Sequence, residues 1–175
     1  PAAPDPGADY GAAEARKVSE VPTRWITADH SKHEILKGEF ASGPEVTAAC
    51  LTCHNEAATQ VQKTIHWTWI CPQDPNKVMG KYGLTLNNFC ISVPSNEPRC
   101  TSCHAGYGWK DKNFMETATE NDVDCLVCHD TTGTYKKFPS GAGLPVTEPK
   151  TFGKKEFFPP DWKLVAQNVG RPTRQ

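Results

Sequence analysis

Apolar positions along this chain come in short, interrupted groups. The clearest helical stretch is DWKLVAQNVGRP (161–172), where Asp161 suits an N-cap, Gly170 falls just past the end and Pro172 stops the run. METATE (115–120) predicts a second helix ahead of Cys125. In DHSKHEILKGEF (29–40), His30 and His33 stand three apart, so on a helical turn they share a face. SGAGLPVTEPKTFGKKEFFPP (140–160) reads as loop, and 15 prolines and 13 glycines in 175 residues make loops plentiful throughout. Little strand is expected. No apolar run approaches the roughly 20 residues of a membrane span.

Composition sharpens this picture. The apolar fraction is 37%, below the roughly 45–50% of ordinary globular chains. A conventional side-chain core is hard to build from it, so crosslinks or a large cofactor should supply buried bulk. Acidic and basic residues are interleaved to a net charge of −1. With no basic stripe, a nucleic-acid partner is excluded. PAAPDPGADYGAAEARK reads as a flexible mature N-terminus left after processing. Three regions are expected: a tail over 1–20, a cofactor-bearing domain over 21–135, and a C-terminal loop and short helix over 136–175 that packs on it. The capped helix close to the last residue suggests that more protein follows.

Eight cysteines decide what the cofactor is. Six form three pairs of one form: CLTCH (Cys50, Cys53, His54), CTSCH (Cys100, Cys103, His104) and CLVCH (Cys125, Cys128, His129). This is the attachment pattern of c-type haem. Two thiols at this spacing add to the two vinyl groups along one porphyrin edge, and the histidine that follows reaches the iron as proximal ligand. A redox dithiol or half a zinc site also uses CxxC. Neither calls for a histidine after every pair, and three pairs leave an orphan in a four-ligand zinc count. Three covalent haems are therefore expected, with porphyrin faces replacing the missing core. The fold class follows: mainly α, with extensive loops and little strand, and haems forming the core. Twenty residues separate His104 from Cys125, against forty-five between His54 and Cys100, so the second and third haems should lie close together. The flanks of the motifs share no longer repeat, which argues against a solenoid.

His30, His33 and His66 remain for the other axial positions, three histidines for three irons. Met79 and Met115 are the alternatives, and neither sits in a motif suggesting ligation. Bis-histidine iron and low potentials are expected. Lysine is a further iron ligand where desolvation removes its proton, and TYKKFPSGAG and PKTFGKKEFFPP hold candidates. Cys71 and Cys90 lie outside the motifs. Haem attachment takes place outside the cytoplasm, where disulfides persist. A Cys71–Cys90 bridge would close a loop of about twenty residues, worth about 3 kcal/mol. The other reading is a free thiol near a reactive haem.

DHSKHEILKGEF, CLTCH with IHWTW, NNFCIS, CTSCHAGYGW and DCLVCHDTTGTYKKFP together resemble the N-terminal part of the octahaem tetrathionate reductase family, over roughly residues 25–170. Only three of eight haem motifs are present. The resemblance implies a bacterial, periplasmic or extracellular multihaem cytochrome, in which one haem, that on Cys100, Cys103 and His104, has a lysine ligand and an open substrate face. Lys136 or Lys137 would supply that lysine, Cys71 would lie near the pocket, and one of His30, His33 and His66 would then be freed. Two functions stand: a reductase of tetrathionate, nitrite or hydroxylamine, or a non-catalytic electron carrier or filament subunit with every iron saturated. Expected partners are redox cytochromes or a quinol-linked donor, and the rest of the same multihaem chain or a homo-oligomer.

Overall fold

The computed structural model of the chain describes residues 28–76, 80, 105–109 and 113–171. Cys100, Cys103 and His104 of the second motif, together with Cys90, Met79 and Pro172, lie outside the described residues.

The fold is mainly helical and loop-rich with little strand, as expected; among the described residues there is one small hairpin. Two 3-10 turns, His30–Lys32 and Glu34–Leu36, come first. Asp29 caps the first by accepting from the Ser31 N–H. His33 sits between the turns in extended backbone, so His30 and His33 do not share one continuous helical face. Helix α1 (Gly43–Leu51) begins from an extended Ser42, with proline in its first turn. There proline loses no hydrogen bond and its φ already suits the helix. The Glu45 carboxylate accepts from the Ala41 N–H at 2.8 Å. Helices α2 (Ala57–Gln62) and α3 (Ile65–Thr68) follow.

The helix predicted over METATE is shorter and earlier. It forms α4 (Phe114–Thr117), then an extended Ala118 and Thr119, then a 3-10 turn at Glu120–Asp122. Thr119 and Asp122 make a reciprocal capping box, which starts a new turn rather than prolonging the old one. Helix α5 (Leu126–His129) is the third haem motif itself.

The 140–160 stretch, expected as loop, contains an antiparallel hairpin, β1 (Lys150–Phe152) with β2 (Lys155–Phe157). Gly153 takes φ +64 at the first loop position, as a two-residue type II′ turn requires. Phe152 and Phe157 fall on one face and meet Phe138 edge-on, with ring centres 5.9 and 5.4 Å away. Those aromatic contacts give so short a hairpin something to pack on. Helix α6 (Trp162–Gln167) starts where the sequence placed it, with Asp161 accepting from the Leu164 N–H, but it ends at Gln167, before Gly170.

Two apolar clusters hold these pieces. One joins Leu36, Val46, Ala49, Tyr107, Leu126, Tyr135, Val165 and Ala166, so it draws together α1, α5, α6 and the His30–Leu36 segment. Gln167 Nε2–H donates to the Leu36 carbonyl at 2.9 Å, tying α6 to that segment. The other joins Ala58, Trp67, Trp109, Phe114 and Val123. Among the described residues no helix is long and apolar enough to cross a membrane.

Candidate haem-binding site

The first motif lies at the end of a helix rather than at a start. Cys50 occupies the last turn of α1, and the N–H groups of Cys53 and His54 both donate back to its carbonyl, at 3.2 and 2.9 Å. That turn leaves Cys53 and His54 exposed while Cys50 stays half-buried. In the third motif Cys125 opens α5, Leu126 is buried, and Cys128 and His129 face outward. The first and third motifs thus each offer an outward histidine and an outward second cysteine beside a buried scaffold.

His129 is oriented by a contact that the sequence did not reveal. Its Nδ1 lies 2.7 Å from the Gly170 carbonyl oxygen. A carbonyl only accepts, so Nδ1 carries the proton and Nε2 keeps the lone pair that an iron needs. The same junction is fixed on the backbone. The Gly170 N–H donates to the His129 carbonyl at 3.0 Å, and the Thr131 N–H and hydroxyl both donate to the Asn168 carbonyl, at 3.0 and 2.7 Å.

The motifs converge. The thiols of Cys50 and Cys125, standing in for thioether sulfurs, lie close enough to interact, and that interaction together with burial pushes the Cys125 thiol up. The Thr47 hydroxyl donates to the Val123 carbonyl at 2.7 Å, bringing α1 against the third motif. The second motif's flank joins them through the Asp124 N–H to the Ala105 carbonyl and the Tyr107 N–H to the Asp122 carbonyl, each at 2.8 Å. Ala105 directly follows His104 and Asp124 directly precedes Cys125. The backbone flanking the second motif is thus hydrogen-bonded to that flanking the third.

His30 lies beside His54, with ring centres 6.2 Å apart and planes 23° from parallel. His33 is 5.8 Å from His30 but tilted by 59°. Metal–imidazole bonds run about 2 Å, so two imidazoles on opposite sides of one iron have ring centres roughly 6 Å apart. The His30–His54 separation fits that arrangement. His30 Nδ1 is buried without a hydrogen-bond partner, and burial holds the imidazole below its ordinary pKa, favouring the neutral form that ligates. His66 stands exposed on α3 next to Ile65, 66% exposed, and exposed His33 is followed two residues on by Ile35, 46% exposed. Apolar surface beside such histidines is what a porphyrin face would cover. The Trp109 Nε1–H is buried with no acceptor; a haem propionate is the kind of acceptor it lacks. Among the described residues no three His, Cys, Asp or Glu side chains gather as a metal cage.

The other sequence candidates are separate. Cys71 is a free, half-buried thiol with Sγ 3.4 Å from Gln73 Oε1. The expected Cys71–Cys90 disulfide is therefore not supported. Cys71 sits in a turn closed by the Asp74 N–H donating to its carbonyl at 3.1 Å, and its sulfur faces Gln73. Lys136 is exposed. Lys137 is buried to 7% side-chain exposure, with Nζ 2.9 Å from Asp124 Oδ2 and 3.1 Å from the Gly106 carbonyl oxygen. Asp124 also accepts from the Tyr107 hydroxyl at 2.9 Å, the Tyr135 hydroxyl at 2.8 Å and the Val127 N–H at 3.0 Å. Sequence reasoning missed Asp124, Tyr107 and Tyr135. The available signal was an acidic residue placed directly against a haem motif between apolar neighbours.

Residues 49–130 match the family described as cytochrome c554 and c-prime. With the CxxCH motifs, the match is to multihaem c-type cytochromes, a class that carries covalently bound haem c. Its fold matches the crystal structure of the octaheme cytochrome c from Shewanella oneidensis at 48% sequence identity and a TM-score of 0.64, over 83% of this chain and 31% of that one. That likeness agrees with the resemblance to the octahaem tetrathionate reductase family, and the chain spans 31% of the solved relative's length. No curated protein sequence matches it.

Proposed function

We propose that the chain holds three haems, on Cys50, Cys53 and His54, on Cys100, Cys103 and His104, and on Cys125, Cys128 and His129. We assign it as the electron-relay segment of a periplasmic reductase of tetrathionate, nitrite or hydroxylamine type. The observation that supports the reading is the approach of the first and third motifs, Cys50 to Cys125, with the second motif's flank, Ala105, on Asp124. Haems anchored this closely supply a short path for electrons. The protein's own part is to space them, exclude water and tune their potentials.

In this reading His54 and His30 would both hold one haem iron, and His129 would hold another through Nε2, its proton kept at Nδ1 by the Gly170 carbonyl. His33 and His66 complete two further axial positions. Covalent haem attachment supports a location outside the cytoplasm, with a partner cytochrome or a quinol-linked donor as the source of electrons. The reductase assignment rests on the resemblance, with Cys71, Lys136 and Lys137 as the residues it would place near substrate.

The non-catalytic reading has its own observation. The Lys137 ammonium is committed to Asp124 and the Gly106 carbonyl, and a lysine that ligates iron must instead be neutral. Low-temperature EPR of the oxidised holoprotein, with and without nitrite or hydroxylamine, separates the two. The reductase reading expects at least one iron that is high-spin or changed by the added ligand. Three unaltered bis-histidine signals would leave the electron carrier.

A further inference from the structure

Beside the third haem motif lies a buried charge pair whose carboxylate neither axial ligation nor haem attachment uses. Asp124 has no side-chain exposure and Lys137 only 7%. A buried carboxylate is tolerated only when it is paired and hydrogen-bonded. Asp124 meets that demand in full, with one ammonium, two phenol hydroxyls and one backbone N–H around its two oxygens. Lys137 also lies 5.7 Å from the centre of the Tyr107 ring. The neighbourhood is built for close approach. A side chain on Gly143 would strike the Gly106 carbonyl that Lys137 binds, and one on Gly43 would strike the Tyr107 ring.

The position of the pair is specific. Asp124 is the residue before Cys125, so its charge adjoins the third haem's attachment point. Gly106 lies two residues past His104, so the Lys137 ammonium reaches across to the second motif's flank. An unpaired carboxylate beside a haem favours the ferric state, which carries one more positive charge. An ammonium held against that carboxylate cancels the effect, and in a site of low dielectric it does so strongly.

We infer that Lys137 is a positioning and tuning residue: as the internal counter-charge of Asp124 it holds up the reduction potential of the haem on Cys125 and Cys128 and clamps the second motif's flank to the third. The inference rests on the proposal that the third motif carries a haem.

The test is a spectroelectrochemical redox titration of the holoprotein and its variants, with haems counted by intact mass in each. Lys137→Met removes the counter-charge of Asp124, and one component of the titration moves to lower potential while the others hold. Lys137→Arg keeps the wild-type potential. Asp124→Asn combined with Lys137→Met removes both charges and returns the component toward the wild-type value. A structural role alone would not produce that return. If Lys137→Met does not mature, Asp124→Asn is compared with the double variant, and removing the lysine must lower the potential. An unmoved potential in proteins carrying all their haems overturns the inference. A third motif without haem overturns instead the reading on which it rests.

Discussion

At the residue scale, His30, Tyr107 and Tyr135 carry consequences that can be measured. His30 is the histidine nearest His54 in a geometry suited to one shared iron, 6.2 Å between ring centres. His30→Gly should convert one low-spin iron to high-spin, read by EPR or by the visible charge-transfer bands, and an unchanged spectrum would remove His30 from the ligands. Tyr107 and Tyr135 are pushed above the ordinary phenol range, first by burial and then by the Asp124 carboxylate. Their folded-state pKa values are raised, so the stability they contribute is full below the unfolded value of about 10 and is lost as pH rises above it. Denaturant midpoints should therefore fall on moving from neutral pH to above pH 10, and Tyr135→Phe should flatten that fall. A wild-type midpoint independent of pH across that window would contradict the buried, protonated phenols.

At the element scale, α6 and the turn that follows it are the mount for His129. Asp161 caps α6 through the Leu164 N–H at 2.9 Å, so Asp161→Ala should cost about 1 kcal/mol. Thr131→Val removes the hydroxyl bond to the Asn168 carbonyl and should cost about 1 kcal/mol as well. Both are read by denaturant unfolding of the holoprotein. No loss in either variant would mean that the junction does not constrain the helix. The start of α6 was legible because a capping aspartate is a local signal. Its end was not, since the chain leaves helix at Asn168 to meet His129 and Thr131, nearly forty residues earlier. The hairpin at 150–157 was hidden for a similar reason: its support is Phe138, more than ten residues upstream. The loss of a shared face between His30 and His33 has a local cause, two 3-10 turns where one helical turn was expected.

At the scale of the whole molecule, Leu126 shows how the haem motif and the core are one object. It lies between Cys125 and Cys128, is 1% exposed, and belongs to the cluster shared by α1, α5 and α6. Leu126→Ala should cost about 2–5 kcal/mol from the cavity it leaves, and a loss well below 1 kcal/mol in equilibrium unfolding would show that the cluster is not a core. The haem chemistry was legible in the sequence because covalent attachment demands a fixed local spacing. The convergence of the first and third motifs was not, because the Cys50–Cys125 contact spans 75 positions and leaves no trace in spacing. The Asp124–Lys137 pair was half-legible: Lys137 stood out, but its partner and role depend on burial.

The central claim is that all three CxxCH motifs of this chain carry covalent haem. The intact mass of the holoprotein under denaturing conditions tests it most directly, because only covalently attached haem survives unfolding. A mass equal to the polypeptide plus three haems is the predicted result; a mass with two, one or none would contradict it.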